Sequence, residues 1–282
     1  MTSVIRVPSP AKLNLFLHIT GRRANGYHEL QTIFQLIDLY DWLEFSQIEA
    51  TDEQALIQID GLNDVDLEQN LIYRAAQILK PFAKKLTAQN IRIEKNIPMG
   101  AGLGGGSSNA ATTLIVLNKL WQCERNTEQL ATLGLQLGAD VPVFVHGLNA
   151  WAEGIGEHLT FIDLDQKQYI VLKPDCFIST QLLFSQKTLT RDTKPTKFCG
   201  YQDMPSDFGN NFEPVARSLY PEVDEAMQYL DQFGTAKLTG TGACVFTEVT
   251  EKMNIDDILK NSPCKAYLVQ SLKESPLRHF EV

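Results

Sequence analysis

Phosphate chemistry is the first possibility the chain offers, in the run Pro98-Met99-Gly100-Ala101-Gly102-Leu103-Gly104-Gly105-Gly106-Ser107-Ser108-Asn109-Ala110. Five glycines fall within the seven positions from Gly100 to Gly106. A plain turn does not need glycine in that number, because each one adds conformational entropy to be lost on folding. Their use is to leave backbone N–H groups free to converge on an anion. A helix is predicted directly behind them, with Ala110, Leu114, Leu117 and Trp121 on one face and Ser107 or Ser108 as its cap. Its N-terminus adds partial positive charge. Three familiar loops fit less well. Gly106 is followed by Ser107-Ser108 with no Lys, so the P-loop is excluded. Gly100, Gly102 and Gly105 satisfy G-x-G-x-x-G, but strands of mixed pattern precede them, unlike a dinucleotide fold. The protein-kinase pattern lacks its downstream H-R-D and D-F-G.

Transfer of a phosphoryl group needs alignment, charge compensation and a base for the attacking hydroxyl. Asp140, in Gly138-Ala139-Asp140-Val141-Pro142, is either such a base or the N-cap of a short helix. Lys12 and Asn14 sit two residues apart on a predicted strand and therefore point the same way. Lys12 is either a solvated surface lysine or a cation held in a packed sheet. Tyr27, His28, Phe34 and Phe184 are aromatic or edge-reading residues that suit a base, or else ordinary core and turn residues. The remaining histidines, His18, His146, His158 and His279, have no metal-ligand spacing.

The run Pro98–Ala110 resembles the central phosphate-binding motif of the GHMP kinases. Pro8-Ser9-Pro10-Ala11-Lys12-Leu13-Asn14-Leu15 is similar to that superfamily's first motif, and Leu238-Thr239-Gly240-Thr241-Gly242-Ala243-Cys244 to its third. Gly26–Thr32, Leu137–Phe144 and Leu272–Leu277 extend the likeness over almost the whole chain. They bring it nearest to the branch that acts on 4-diphosphocytidyl-2-C-methyl-D-erythritol. The resemblance implies an α+β fold of two domains. Residues 1–160 would form an ATP-binding α/β domain of the ribosomal-protein-S5 type, and 161–282 a ferredoxin-like domain.

It also implies roles. Asp140 would be the catalytic base and Lys12 its charge partner at the transferring phosphoryl group. Tyr27 and Phe184 would sandwich a cytosine whose edge His28 reads, with Phe34 beside them. Asn14 and Thr180 would hold the polyol. ATP would lie on Pro98, Met99, Gly100, Ala101, Gly102, Leu103, Gly104, Gly105, Gly106, Ser107 and Ser108, with Asn70 touching adenosine. Mg2+ would be held chiefly by ATP oxygens and water, no carboxylate being singled out for it. The rivals are another GHMP-type small-molecule kinase and an idle nucleotide-binding protein. The presence of both Lys12 and Asp140 argues against the second.

The elements that must position these residues follow from hydrophobic periodicity. Ala11–Thr20 alternates, with Ala11, Leu13, Leu15, Leu17 and Ile19 opposite Lys12, Asn14, Phe16, His18 and Thr20. Strands are expected at Thr32–Ile37, Asp41–Phe45, Ala55–Ile59 and Asn90–Glu94. Helices are expected at Asn70–Ala83 and Thr127–Leu137, and a turn-rich loop at Gly21–Gly26. Beyond residue 160 the order strand Tyr169–Lys173, helix Glu222–Leu230, strands Lys237–Leu238 and Cys244–Glu248, helix Ile255–Leu259, strand Lys265–Val269 reads β-α-β-β-α-β. Thr188–Ser206 is expected to be a surface excursion.

Composition narrows the partners. With 25 Lys+Arg against 34 Asp+Glu, the net charge of -9 repels nucleic acid, so any anionic ligand needs a local site. The 44% hydrophobic content suits an ordinary globular chain. Five scattered cysteines lack a C-x-x-C pair, and Met1–Pro8 has no apolar signal core. No run is long enough to cross a membrane. The expected partners are ATP and a small cytidyl diphosphate, with neither nucleic acid nor membrane, in the cytoplasm. Oligomeric state is not legible.

Overall fold

The computed structural model describes residues 4–24, 26–49, 56–62 and 65–281, apart from the Ser206 side chain. Asn25 of the expected loop and Ala55 at the head of an expected strand lie outside the described residues. Among those described, six strands form one sheet: β1 (Ile5–Arg22), β2 (His28–Gln47), β3 (Ile57–Asp60), β4 (Gln89–Glu94), β5 (Ala150–Gly154) and β6 (His158–Phe161). The two strands expected at 32–37 and 41–45 are one, because β2 runs unbroken as the spine. β1 pairs antiparallel along one edge of it, while β4 and β5 share the other. Pro8 and Pro10 are tolerated because β2 is the one strand that β1 pairs with among the described residues, which leaves the other edge of β1 without a strand to bond at these positions.

Helices α1 (Leu71–Leu79), α2 (Gly105–Leu120), α3 (Thr127–Leu135) and α4 (Val141–His146) cover one face of this sheet. Their core joins Ile72, Leu79, Leu114, Leu117, Trp121 and Val141 to Leu36, Leu43 and Phe45 of β2. Asn70 caps α1, its Oδ1 accepting from Ile72 N at 2.9 Å.

The second sheet holds β7 (Gln168–Lys173), β8 (Lys237–Leu238), β9 (Val245–Glu248) and β10 (Lys265–Gln270), in the order β10-β7-β9-β8 with every pair antiparallel. This is the expected ferredoxin-like arrangement. Helices α5 (Thr180–Ser185), α6 (Phe198–Asp203), α7 (Glu213–Leu219), α8 (Pro221–Leu230) and α9 (Ile255–Lys260) accompany it. β7 alternates between two cores. Ile170 and Leu172 pack with Val215, Val223, Met227 and Ile258 on the helical side. Tyr169 and Val171 face the first sheet, with Ala11, Leu13, Leu15, Ile33 and Trp151. The two halves of the chain therefore share an apolar seam through β1.

β1 departs from simple alternation. Its pairing with β2 shifts between Asn14 and Leu17, and such a bulge changes the face that later residues present. Phe16 consequently joins Leu13 and Leu15 in the seam, while Leu17 and Ile19 pack in the helical core of the second half. Thr188–Ser206 runs over the surface, most of its residues exposed or half-buried, and it is tied down at several points. Tyr201 stacks on Phe16 at 5.6 Å, Phe198 meets Trp151, and Thr193 N donates to Ile19 O. The C-terminal segment returns to the first sheet, with Leu272 N donating to Leu36 O and Ser275 N to Gly147 O.

Burial holds His18 and His146 below the ordinary histidine pKa of 6.5. The unfolded chain then binds protons that the native state refuses. Stability contributed by these groups is complete above about pH 6.5 and is lost as pH falls toward the native pKa values. Thermal melts should show a Tm lower by a few degrees at about pH 6 than at about pH 7.5, and His18→Phe should reduce the difference. A Tm unchanged across that interval contradicts the assignment.

Candidate active site

The glycine run is held from three sides. Asp41, fully buried on β2, accepts from Asn96 N and Ile97 N, both at 2.8 Å, with Oδ1. Its Oδ2 accepts from Asn109 Nδ2 at 3.0 Å and from Lys95 Nζ. The residues leading into the run and those leading out are thereby tied to one carboxylate. From the other sheet, Cys244 N donates to Ala101 O at 3.1 Å and Thr239 Oγ1 to Gly102 O at 3.3 Å. Gly102, at φ +75°, lies so close to this second glycine turn that a Cβ would sit 2.1 Å from Thr239 O. Leu103 O accepts from Lys12 N at 3.0 Å, which attaches the loop to β1.

α2 begins differently from the sequence expectation. Gly104, at φ +72°, occupies the cap position, and no side chain caps the helix. Ser107 and Ser108 belong to its first turn. A left-handed cap suits only glycine well, which is why the serines are displaced inward along the helix. Ser108 is turned away from solvent, its hydroxyl meeting Ser9 Oγ at 2.8 Å and its amide donating to Gly104 O. Ser107 faces the cleft instead. The amides of Gly105, Gly106 and Ser107, ahead of that first intrahelical bond, belong to residues that line the cleft and are the ones a helix start leaves for an outside acceptor.

That space is a cleft of about 540 Å³ lined by Asn70, Lys95, residues Pro98–Ser107, Phe177 and Thr180. Its volume suits a nucleotide-sized ligand. Lys95 belongs to none of the sequence motifs, and its one signal there is a position three residues before Pro98. Its Nζ lies under the start of α2, 3.1 Å from where a Gly105 Cβ would stand. Met99 is 57% exposed at the rim. Thr180 Oγ1 pairs with Thr241 Oγ1 at 2.8 Å across the mouth.

At the inner end of the loop Lys12, 2% exposed, gathers three partners around its ammonium. These are Asn14 Oδ1, Gly102 O at 3.0 Å and Asp140 Oδ2 at 3.3 Å. Asn14 is fixed in turn, its backbone N donating to Thr239 Oγ1 at 2.9 Å and its Nδ2 donating to Thr32 Oγ1 at 2.8 Å. Asp140 stands at the N-terminus of α4, yet its side chain makes no capping bond. Its carboxylate, one-third exposed, is directed to Lys12 and remains open to an incoming proton donor. Lys12, Asn14 and Asp140 thus meet beside Gly102. Phe34 is 2% exposed and forms the wall beneath, its ring centre 5.4 Å from Lys12 Nζ. It does not reach the open cleft.

His28 and Phe184 form a separate cluster, stacked at 4.6 Å with 23° between their planes. The ring on Phe184 is therefore that of His28, while Tyr27 beside it is 60% exposed. Arg191 Nε donates to His28 Nε2 at 3.3 Å. Burial, then Arg191 and Arg22, push the His28 pKa down, so the ring is neutral in the neutral range. Arg191, in the segment expected to be a surface excursion, carries no sequence signal.

Residues 70–148 match the GHMP kinases N terminal domain and 201–267 the GHMP kinases C terminal family. A 4-diphosphocytidyl-2-C-methyl-D-erythritol kinase of Acinetobacter baumannii is 79% identical over 279 residues, covering 99% of both chains. One from Hahella chejuensis is 47% identical and covers 97% of this chain and 95% of its own. The crystal structure of a 4-(cytidine 5'-diphospho)-2C-methyl-D-erythritol kinase superposes with a TM-score of 0.79 at 29% identity, covering 95% of this chain and 99% of that one. The Methanococcus jannaschii mevalonate kinase, at 18% identity and a TM-score of 0.68, shares the fold. The chain belongs to the GHMP kinases and, within them, to the 4-diphosphocytidyl-2-C-methyl-D-erythritol kinase family.

Proposed function

We propose that this chain transfers the γ-phosphoryl group of ATP to the 2-hydroxyl of 4-diphosphocytidyl-2-C-methyl-D-erythritol, a step in making isoprenoid precursors. The observation that carries the reading is the meeting of Lys12, Asn14 and Asp140 at the inner end of a glycine loop and helix N-terminus. ATP fits the cleft because amides, a helix start and Lys95 face its phosphate-sized inner half. Asn70 borders the outer half, beside Leu71 and Ile72, where an adenosine would lie.

In the proposed step, Asp140 accepts the proton of the 2-hydroxyl. The oxygen then bonds to the γ-phosphorus, and the bond from that phosphorus to the β–γ bridging oxygen breaks, releasing ADP. Lys12 compensates negative charge on the group in flight, and Gly102 O and Asn14 keep its ammonium in place. Asn14 and Thr180 orient the polyol. Among the described residues no group of three or more His, Cys, Asp or Glu is placed to hold a metal. Mg2+ fits here as an ion carried by the nucleotide, with Ser107 Oγ as the contribution of the chain. When bound, it would neutralise phosphate charge.

The test is ADP release measured with the cytidyl alcohol beside its uridyl analogue, mevalonate and homoserine. Alcohol-dependent turnover is expected with the first, and kcat/KM lower by about 100-fold or more with the others. Comparable turnover of mevalonate or homoserine would give the chain to another GHMP-type activity. ATP binding without turnover of any alcohol would leave a binding protein.

A further inference from the structure

Arg191 belongs to none of the motifs, yet its guanidinium makes four hydrogen bonds. Nη1 donates to Leu189 O at 3.0 Å, and Nη2 to Phe184 O at 2.8 Å and Gln186 O at 2.7 Å. Nε donates to His28 Nε2 at 3.3 Å. The three carbonyls belong to α5 and the short stretch after it, so the planar fork has little freedom to rotate. It is also a donor with no acceptor capacity. Its partner nitrogen must therefore be an acceptor, and a neutral imidazole with an acceptor at Nε2 carries its hydrogen on Nδ1.

We propose that Arg191 is a positioning residue that fixes His28 as the Nδ1–H tautomer and thereby makes the site select cytosine over uracil. The selection rests on the cytidyl reading given above. The pairing edge of cytosine has an acceptor at N3, whereas uracil carries a hydrogen there. A fixed Nδ1–H meets the first with a hydrogen bond and the second donor to donor. Rejection of that kind is strong, because the mismatched pair leaves part-buried polar groups unsatisfied. The same residue also secures the stacking layer. Arg191 bonds the Phe184 backbone as well as the His28 ring, so a base hydrogen-bonded in the plane of His28 lies nearly parallel to Phe184. The charged groups acting on His28 are Arg191 and Arg22, both cationic, and with burial they favour the neutral ring that a single tautomer requires.

Nitrogen-15 spectroscopy of histidine-labelled protein reads the tautomer directly. The intact protein should show His28 protonated at Nδ1 and bare at Nε2, and Arg191→Ala should move the population toward Nε2–H, the form free imidazole prefers. Kinetics with the cytidyl and uridyl alcohols should show the ratio of their kcat/KM values narrowing about tenfold or more in Arg191→Ala. The change should come through KM for the cytidyl form, with kcat within about threefold. An Nε2–H signal in the intact protein overturns the proposal, whether or not the variant folds. So does a variant that loses both substrates equally, since that reports only a loosened loop. An Nδ1–H signal together with no cytidyl preference in the intact protein overturns the selection by a different route. The tautomer would then stand, and the failure would lie in the base-recognition reading.

Discussion

Asp140→Asn is expected to lower turnover about a thousandfold while leaving ATP affinity within about threefold. The substitution keeps the size of the side chain and an oxygen to face Lys12 Nζ, and removes the capacity to take a proton together with the negative charge. A thousandfold corresponds to about 4 kcal/mol of transition-state stabilisation. The structural cost is much smaller. The carboxylate is one-third exposed and makes no capping bond to α4, so a reduced ion pair costs about 1 kcal/mol or less. Lys12 also keeps Asn14 Oδ1 and Gly102 O as partners. Chemistry and stability are therefore separable by measurement: ADP release for the first, thermal melting and calorimetric titration with an unreactive ATP analogue for the second. Near-normal turnover removes Asp140 from the role of base. Loss of turnover together with nucleotide binding and Tm makes it a structural residue instead.

Local signals and long-range contacts divided the site between what was legible and what was not. The glycine run announced itself because five glycines before a helical pattern have few other uses. The ferredoxin-like order of the second half could be read because β7, α8, β8, β9, α9 and β10 each have a local pattern, although α5, α6 and α7 also fall between β7 and α8. Lys12 and Asp140 were each ambiguous in isolation, as their meaning depends on an encounter between residues 128 positions apart. Only the ordered resemblance of three motifs favoured one side. Lys95 and Asp41 carry no local signal for the same reason, their pairing spanning 54 positions. Arg191 is further still from His28, and its segment is polar enough to read as solvated loop. The β1 bulge was hidden because alternation in a sequence assumes a regular pleat, and one irregular pair redirects every side chain after it. The helix cap differs from the expected one because Ser107 and Ser108 have the preferred capping chemistry but lie inside the first turn. The backbone turn demanded by Gly104 decided the matter instead.

The contrast between two glycines four positions apart gives the second large effect. Gly102→Ala should destabilise the protein by about 4 kcal/mol and remove most activity, whereas Gly106→Ala should leave stability unchanged or raise it by about 0.5 kcal/mol. At Gly106 a new Cβ meets only Leu71 Cδ1, at 3.4 Å, on a helix that favours alanine. At Gly102 it meets the Thr239 carbonyl at 2.1 Å and Gly242 N at 3.2 Å, both backbone atoms that no rotamer change can move. The φ of +75° adds about 1 to 2 kcal/mol of its own. Relief requires the two glycine turns to separate, and that separation breaks the bonds from Cys244 N to Ala101 O and from Thr239 Oγ1 to Gly102 O. Gly102 O also holds Lys12 Nζ, and Thr239 Oγ1 holds Asn14 N, so the displacement reaches the reacting centre directly. Denaturant unfolding of both variants, with ADP release measured under conditions where each is folded, checks the pair. A Gly102→Ala protein of ordinary stability and activity would mean that the turns tolerate separation and that the clasp between the two sheets is not what aligns Lys12.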